Sequence, residues 1–238
     1  MTNSPIQLFS GLALKQVLTE SVLPAFTERT GRVVAATFEP TGVLVDMIAA
    51  GRRPDVMIGV DRSLRELTLG AGPVLSEKSL RPLVRSGIGV AVRAGSPAPT
   101  IGTVDELKRA LVCTERVAYS RTGASGVYFA ELLVTLGIAD AVNGRACVID
   151  KGFVGETLLD GRADLAVQQL VELATVDGIR IVGPLPDAVQ RHIELSAAAA
   201  ATAMPGAGDS LLEFLRGPKA ALAYQSVGLE PTFGVPHE

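Results

Sequence analysis

Short apolar runs that lead through small or polar residues directly into a helical pattern constrain this fold more than any other feature. In the central example, residues 116–119 predict a strand and residues 120–125 predict a loop rich in Ser, Thr and Gly. A helix with apolar positions at Phe129 and Leu133 follows, and Gly137 is expected to end it, because glycine readily adopts the left-handed C-terminal turn. Such a loop points N–H groups and hydroxyls at one spot, where the helix dipole favours an anion.

The same arrangement is predicted at three further corners. They are Ile6–Phe9 leading into Ser10-Gly11, residues 32–38 leading into Glu39-Pro40-Thr41-Gly42, and residues 146–149 leading into Asp150-Lys151-Gly152-Phe153. Because the carboxyl ends of parallel strands meet at one edge of a sheet, four such corners predict a ligand site at that edge. At the central corner the alternative is that Ser125 is an ordinary helix N-cap.

Two long β-rich runs, residues 84–93 and 193–203, lie far apart in the chain and enclose a second set of alternating strands and helices. This pattern predicts an α/β fold with two lobes of mixed or parallel sheet, flanked by helices and joined by two crossover strands. Residues 1–84 with 193–238 would form the first lobe and residues 85–192 the second. A cleft between two hinged lobes is a common ligand site.

Composition excludes several classes of partner. Of the 238 residues, 47% are hydrophobic and 20% charged, which is typical of a folded protein. The net charge of −3 and the lack of a Lys/Arg cluster disfavour nucleic acid. The alanine-rich run 197–203 is much shorter than the ~20 residues of a membrane span, so no membrane insertion is expected. Cys113 and Cys147 fit no metal-ligand spacing, so neither a metal nor a cofactor is predicted, and whether the two pair is left open.

The N-terminal residues 1–7 show no basic n-region, apolar h-region or cleavage site. As written, the sequence therefore predicts a cytoplasmic protein, whereas a processed mature form with an added Met would be periplasmic. An ABC importer is an expected partner only if the chain is exported.

The order and spacing of these motifs resemble the type 2 solute-binding proteins, and within them the molybdate-binding branch. The matching segments are Ser10–Leu14, Phe38–Gly42, Asp55–Ile58, Tyr119–Gly126, Lys151–Val154 and Ala166–Gln169. The resemblance runs from Ile6 to about Pro231. It implies the type 2 periplasmic-binding-protein fold, with two α/β lobes that close on a small anion.

By position, the resemblance implies ligand contacts at Ala13, Thr41, Ser125, Phe153 and Gln169. Two of these depart from the family pattern, since molybdate binders generally have a hydroxyl residue in place of Ala13 and a tyrosine in place of Gln169. Ser10 and Gln168 are the neighbouring polar residues that would compensate. Each unmet polar requirement would cost roughly 1–3 kcal/mol, which disfavours molybdate as the ligand.

The remaining polar residues favour an organic anion. Arg121 and Lys151 follow two of the predicted strands, and Arg85 lies near a crossover. Arginine pairs well with planar carboxylates, and the amides of Gln168 and Gln169 both donate and accept hydrogen bonds. The predicted function is reversible binding of a small anion, an organic di- or tricarboxylate, by lobe closure.

An enzyme is the alternative prediction, because bacterial aconitate isomerase resembles the same branch. That reaction moves a proton across an allylic tricarboxylate and needs a group that takes and returns the proton. Glu39 in the second corner is the candidate base, and Lys151 or Tyr119 would serve if the site lowered its pKa. A third alternative is a cytoplasmic ligand sensor that reports to a partner.

Overall fold

The computed structural model describes residues 4–70, 72–201 and 207–234. The strands are β1 Ile6–Ser10, β2 Val34–Phe38, β3 Val56–Val60, β4 Arg81–Arg93, β5 Val117–Ser120, β6 Cys147–Ile149, β7 Leu165–Gln169, β8 Ile179–Pro184, β9 His192–Ala199 and β10 Glu230–Pro231. The α-helices are α1 Lys15–Val17, α2 Leu23–Thr30, α3 Thr41–Ala49, α4 Asp61–Leu67, α5 Val104–Cys113, α6 Ala124–Thr135, α7 Ala139–Asn143, α8 Glu156–Leu159, α9 Leu170–Ala174, α10 Ala207–Leu215 and α11 Pro218–Ser226. Short 3₁₀ segments lie at Leu12–Leu14, Glu77–Ser79 and Asp187–Val189, and a π-helical segment lies at Leu18–Val22.

The chain divides into two compact units. Unit 1 contains Met1–Arg85 and Glu194–Glu238, and unit 2 contains Ser86–Ile193. Strands β4 and β9 run through the residues at which the chain passes from one unit to the other. The long β-rich runs predicted from the sequence correspond to these two strands. β9 ends at Ala199, and residues 202 and 203 of the predicted run lie outside the described residues.

In unit 1, β1 lies between β2 and β3 and is parallel to both, with Leu8 opposite Ala36 and Val56. β9 pairs antiparallel with β3, so that Val56 faces Ala199. The carboxyl ends of β1, β2 and β3 therefore share one edge, as the corner pattern predicts. Helix α3 buries Leu44 and Ile48 on one face, since residues four apart stack on a helix, and both join the core around Phe9.

In unit 2, β5 lies between β6 and β7 and is parallel to both. β4 pairs antiparallel with β7 and also with β8. The core on this sheet combines alanines of the strands, Ala91, Ala118 and Ala166, with larger side chains such as Leu158 and Leu173. The mixed α/β class predicted from the sequence is confirmed by this arrangement.

Strand β8 is the main element that the sequence pattern missed. Its residues Ile179–Pro184 are half-buried or exposed and include Gly183 and Pro184, so they lack the apolar alternation that marks a strand. Within the described ranges, no helix is both long and apolar enough to traverse a lipid bilayer.

Candidate functional site

The central corner of unit 2 is a tight turn between β5 and α6. The backbone N–H of Gly123 donates to Ser120 Oγ at 3.1 Å, and Gly123 is the N-cap of α6. Ser125 lies inside the first helical turn with 2% of its surface exposed, so its interpretation as the N-cap is wrong. A Cβ at Gly126 would lie 1.8 Å from the Ser120 carbonyl oxygen, which only glycine avoids. The closeness of strand and helix at this corner therefore depends on Gly126.

The second loop of this edge is tied to the first by Arg121. Its backbone N–H donates to the Ile149 carbonyl at 2.8 Å, and its Nε donates to Asp150 Oδ1 at 3.0 Å. The Thr122 hydroxyl also donates to the Asp150 carbonyl. Both side chains of the Arg121–Asp150 pair are exposed. A ligand carboxylate that used the Arg121 guanidinium would therefore compete with Asp150.

Gln168 holds the loop that follows β6. Its Oε1 accepts from the backbone N–H of Val154 at 2.7 Å, and its Nε2 donates to the Gly152 carbonyl at 3.1 Å. Gly152 has a φ of 106°, a left-handed conformation that favours glycine. Both ends of the Gln168 amide are thus engaged with the backbone that carries Phe153, which is half-buried. Lys151, directly before this clamp, is exposed.

Gln169 ends β7 and is the N-cap residue of α9, with 6% of its surface exposed. Its Nε2 donates to Glu172 Oε2 at 3.3 Å, whereas its Oε1 is buried and has no hydrogen-bond partner in the described part of the chain. A buried acceptor without a donor calls for an explanation, because nearly all buried polar atoms in proteins are paired. Gln169 is therefore the predicted ligand residue with the clearest need for a further hydrogen-bond donor, at its Oε1.

Glu172 is a buried acid that the sequence motifs did not predict as a site residue. It is 6% exposed, and burial raises the pKa of its carboxyl to about 7, although hydrogen bonds from Gln169 and Gln168 favour the ionised form. The sequence feature that could have indicated it is a Gln-Gln pair followed, three residues later, by a glutamate in an otherwise apolar segment. Only the tertiary packing shows that this glutamate points inward.

Unit 1 brings its predicted residues to one edge as well. The Glu39 N–H donates to the Ser10 carbonyl at 3.2 Å, and Thr41 Oγ1 accepts from the Val60 N–H at 3.1 Å. These contacts link the carboxyl ends of all three parallel strands. Glu39 is half-buried, whereas Ser10 is fully buried and its hydroxyl donates to the Gly11 carbonyl. Ala13 lies in the 3₁₀ segment after β1 and is also buried.

Two predicted residues are engaged elsewhere. The Tyr119 hydroxyl donates to Asn143 Oδ1 at 2.8 Å, and its ring packs edge-on against Phe129 at 5.3 Å. Burial raises the Tyr119 pKa, with only a partial opposing effect from Arg121. Arg85 forms an exposed ion pair with Glu230, at 2.7 Å between Nη2 and Oε2.

Nothing in the described residues resembles a metal centre, since no three His, Cys, Asp or Glu side chains there form a group that could hold an ion. Cys113 is exposed and Cys147 half-buried, and both are free thiols. The polar groups at the strand ends are instead amides, hydroxyls, carboxyls and backbone N–H groups. Such groups bind organic anions through hydrogen bonds.

The α/β fold with polar groups at its strand ends is that of a solute-binding protein. The chain belongs to the bacterial extracellular solute-binding proteins, whose family pattern it matches over residues 6–230. It is 33% identical over 217 residues to an aconitate isomerase from a Pseudomonas species, which covers 88% of this chain and 82% of that protein.

Solved structures of anion-binding proteins share the fold. The periplasmic molybdate-binding protein of Azotobacter vinelandii superposes with a TM-score of 0.76 at 17% identity, covering 94% of this chain and 98% of that one. The sulfate-binding protein SubI of Mycobacterium tuberculosis superposes with a TM-score of 0.74 at 18% identity, covering 96% and 87% of the two chains. These likenesses confirm the type 2 periplasmic-binding-protein fold.

Proposed function

We propose that this protein binds a tricarboxylate of the aconitate type and interconverts its isomers by moving a proton across the allylic carbons. The observation that carries the proposal is the 33% identity to an aconitate isomerase over 88% of the chain. The predicted carboxylate ligand is consistent with this relationship. The buried Gln169, which occupies the position where molybdate binders generally have tyrosine, supports it further.

The reaction needs a base but no redox partner. A base removes a proton from the methylene carbon beside one carboxylate, the double bond shifts by one position, and the proton returns at the far end of the allylic system. Negative charge develops on the neighbouring carboxylate during this step, and hydrogen-bond donors or cations that face it lower the barrier. A group that takes and returns the proton contributes typically about 10²- to 10⁴-fold.

Glu39 is the base in this proposal. It is half-buried at the carboxyl end of β2, and its backbone is fixed to β1 through the Ser10 carbonyl. Lys151, in the loop after β6, is the alternative candidate for the group that transfers the proton. Tyr119 is the weaker candidate of the three predicted residues, because its hydroxyl is bonded to Asn143 and its pKa is raised.

Proton NMR of cis- and trans-aconitate provides the test. We expect the wild-type protein to convert either isomer into the equilibrium mixture, and Glu39→Gln to lower the rate by about 10²- to 10⁴-fold while still binding the ligand. Glu28→Gln, which changes an exposed glutamate on α2, is the matched control and should retain the wild-type rate. Full turnover in Glu39→Gln would show that another group is the base.

A reversible binder of carboxylates is the second candidate function. The observation that favours it is the family itself, which consists of solute-binding proteins. A binder would give chemical-shift changes with aconitate but no interconversion of the isomers, even after prolonged incubation. The same NMR samples therefore separate the two functions. Transport by an importer would be the corresponding role if the chain is exported.

A further inference from the structure

Gln169 and Glu172 form a buried amide–carboxyl pair at the carboxyl end of β7. Each residue is 6% exposed, and Gln169 Nε2 donates to Glu172 Oε2 at 3.3 Å. The second acceptor of the pair, Gln169 Oε1, is buried and lacks a donor among the described residues. The neighbouring amide of Gln168 is held by Val154 and Gly152, and it also hydrogen-bonds to the Glu172 carboxyl.

Whether Glu172 is protonated determines which hydrogen bonds the Gln169 amide can make. A protonated carboxyl has one O–H donor and one carbonyl acceptor, whereas an ionised carboxylate only accepts. The protonated form is thus able to donate to Gln169 Oε1 and to accept from Nε2 at once, in a closed acid–amide pair. The second hydrogen on Nε2 then stays available to an anion. In the ionised form Oε1 remains unpaired, and a negative charge lies next to the amide.

We propose that Glu172 is a positioning residue that, by keeping its proton, presents the Gln169 amide as a donor to a bound carboxylate and so couples anion affinity to pH. The inference rests on the proposed function, because it takes Gln169 as a ligand contact for a tricarboxylate. The burial that raises the Glu172 pKa to about 7 places this transition near neutral pH. Ligand binding should therefore weaken as the pH rises above 7.

The Glu172 carboxyl also accepts hydrogen bonds from the Gln169 backbone N–H and the Gln168 side chain, and both favour its ionised form, but the burial that raises its pKa is the larger effect. Helix α9 packs on β7 and β8, and its Leu170 side chain lies where a Cβ on Gly89 of β4 would be. β7 carries no titratable side chain, and α9 carries only Glu172. The charged residues of β8 and of the unit 2 part of β4 are Arg180 and Arg93, and both are exposed. The Arg180 guanidinium donates to the Ser96 carbonyl.

Calorimetric titration with tricarballylate, a saturated tricarboxylate that cannot isomerise, tests the inference between pH 5.5 and 8.5. In Glu172→Gln the side chain is neutral at every pH and still has both an N–H donor and a carbonyl acceptor. We expect the dissociation constant of the wild type to rise more than that of Glu172→Gln between pH 6 and 8.5, by up to about 30-fold for a transition near 7. Comparing the two proteins cancels the ionisation of tricarballylate itself. Glu131→Gln, an exposed change on α6, should follow the wild type.

A second measurement on the wild type does not depend on any variant. In protein with ¹³C-labelled glutamate side-chain carboxyls, we expect Glu172 to titrate near pH 7. Tricarballylate should raise its pKa, because coupling between proton and ligand is reciprocal. An unmoved pKa, or the same pH dependence of binding in the wild type and Glu172→Gln, would overturn the role of Glu172 alone. Failure of the wild type to bind tricarballylate at any pH would instead refute the proposed function, and this inference with it.

Discussion

Replacing Glu172 with glutamine should change how the stability of the protein depends on pH. The carboxyl has a pKa of about 7 in the folded protein and an ordinary value of 4.5 in the unfolded chain. Below pH 4.5 both states hold the proton, and between 4.5 and 7 the folded state alone tends to hold it. Stability from this group is therefore fully present at low pH and is lost as the pH rises through 7. The whole loss amounts to roughly 3 kcal/mol.

Urea unfolding at pH 5, 6, 7 and 8 measures this effect directly. Because a glutamine has no proton to lose, Glu172→Gln should gain roughly 2–3 kcal/mol in unfolding free energy relative to the wild type between pH 5 and 8. Glu131→Gln, on an exposed part of α6, should show no such trend. A difference between Glu172→Gln and the wild type that stays constant across this range would refute the claim that the buried carboxyl is held neutral.

Two further substitutions test the local geometry. Gly126→Ala would place a methyl 1.8 Å from the Ser120 carbonyl oxygen and should cost about 1–3 kcal/mol or more in thermal unfolding, whereas Gly42→Ala, where a Cβ meets nothing within 4 Å, should be tolerated. Ser196→Ala removes a 2.6 Å hydrogen bond to Asp61. Burial raises the Asp61 pKa, but this bond and Arg65 outweigh it and lower the pKa overall, so the substitution should raise the Asp61 pKa in an NMR titration and shift the loss of stability in acid to higher pH.

The strand-end corners show which features of the site the sequence pattern can predict. Its corners were recognisable because an apolar run that passes through serine, threonine or glycine into a helical pattern marks the junction of a strand and a helix. The structural role of each residue within a corner could not be predicted from the pattern. Ser125 and the N-cap Gly123 differ by two positions, and only the backbone path decides which of them lies outside the helix.

Gln168 and Gln169 illustrate the same limit. They are identical residues side by side in a strand, so their side chains point to opposite faces. One amide satisfies both of its ends on the loop after β6, and the other retains an unpaired oxygen next to Glu172. In the sequence, Gln169 is a ligand contact implied by the family resemblance and Gln168 a polar neighbour that would compensate, and nothing there shows how either amide is bonded. The pairing that separates them depends on neighbours from other parts of the chain.

By itself, the sequence determined the α/β class, the position of the strand-to-helix corners and the family resemblance. These follow from periodic burial and turn chemistry, which depend on residues close together in the sequence. Tertiary structure alone decided that Tyr119 and Arg85 are engaged by Asn143 and Glu230, and that Glu172 is buried with a raised pKa. The physical reason is that desolvation and hydrogen-bond partners come from residues distant in sequence, so a side chain's charge state is fixed only when its surroundings are assembled.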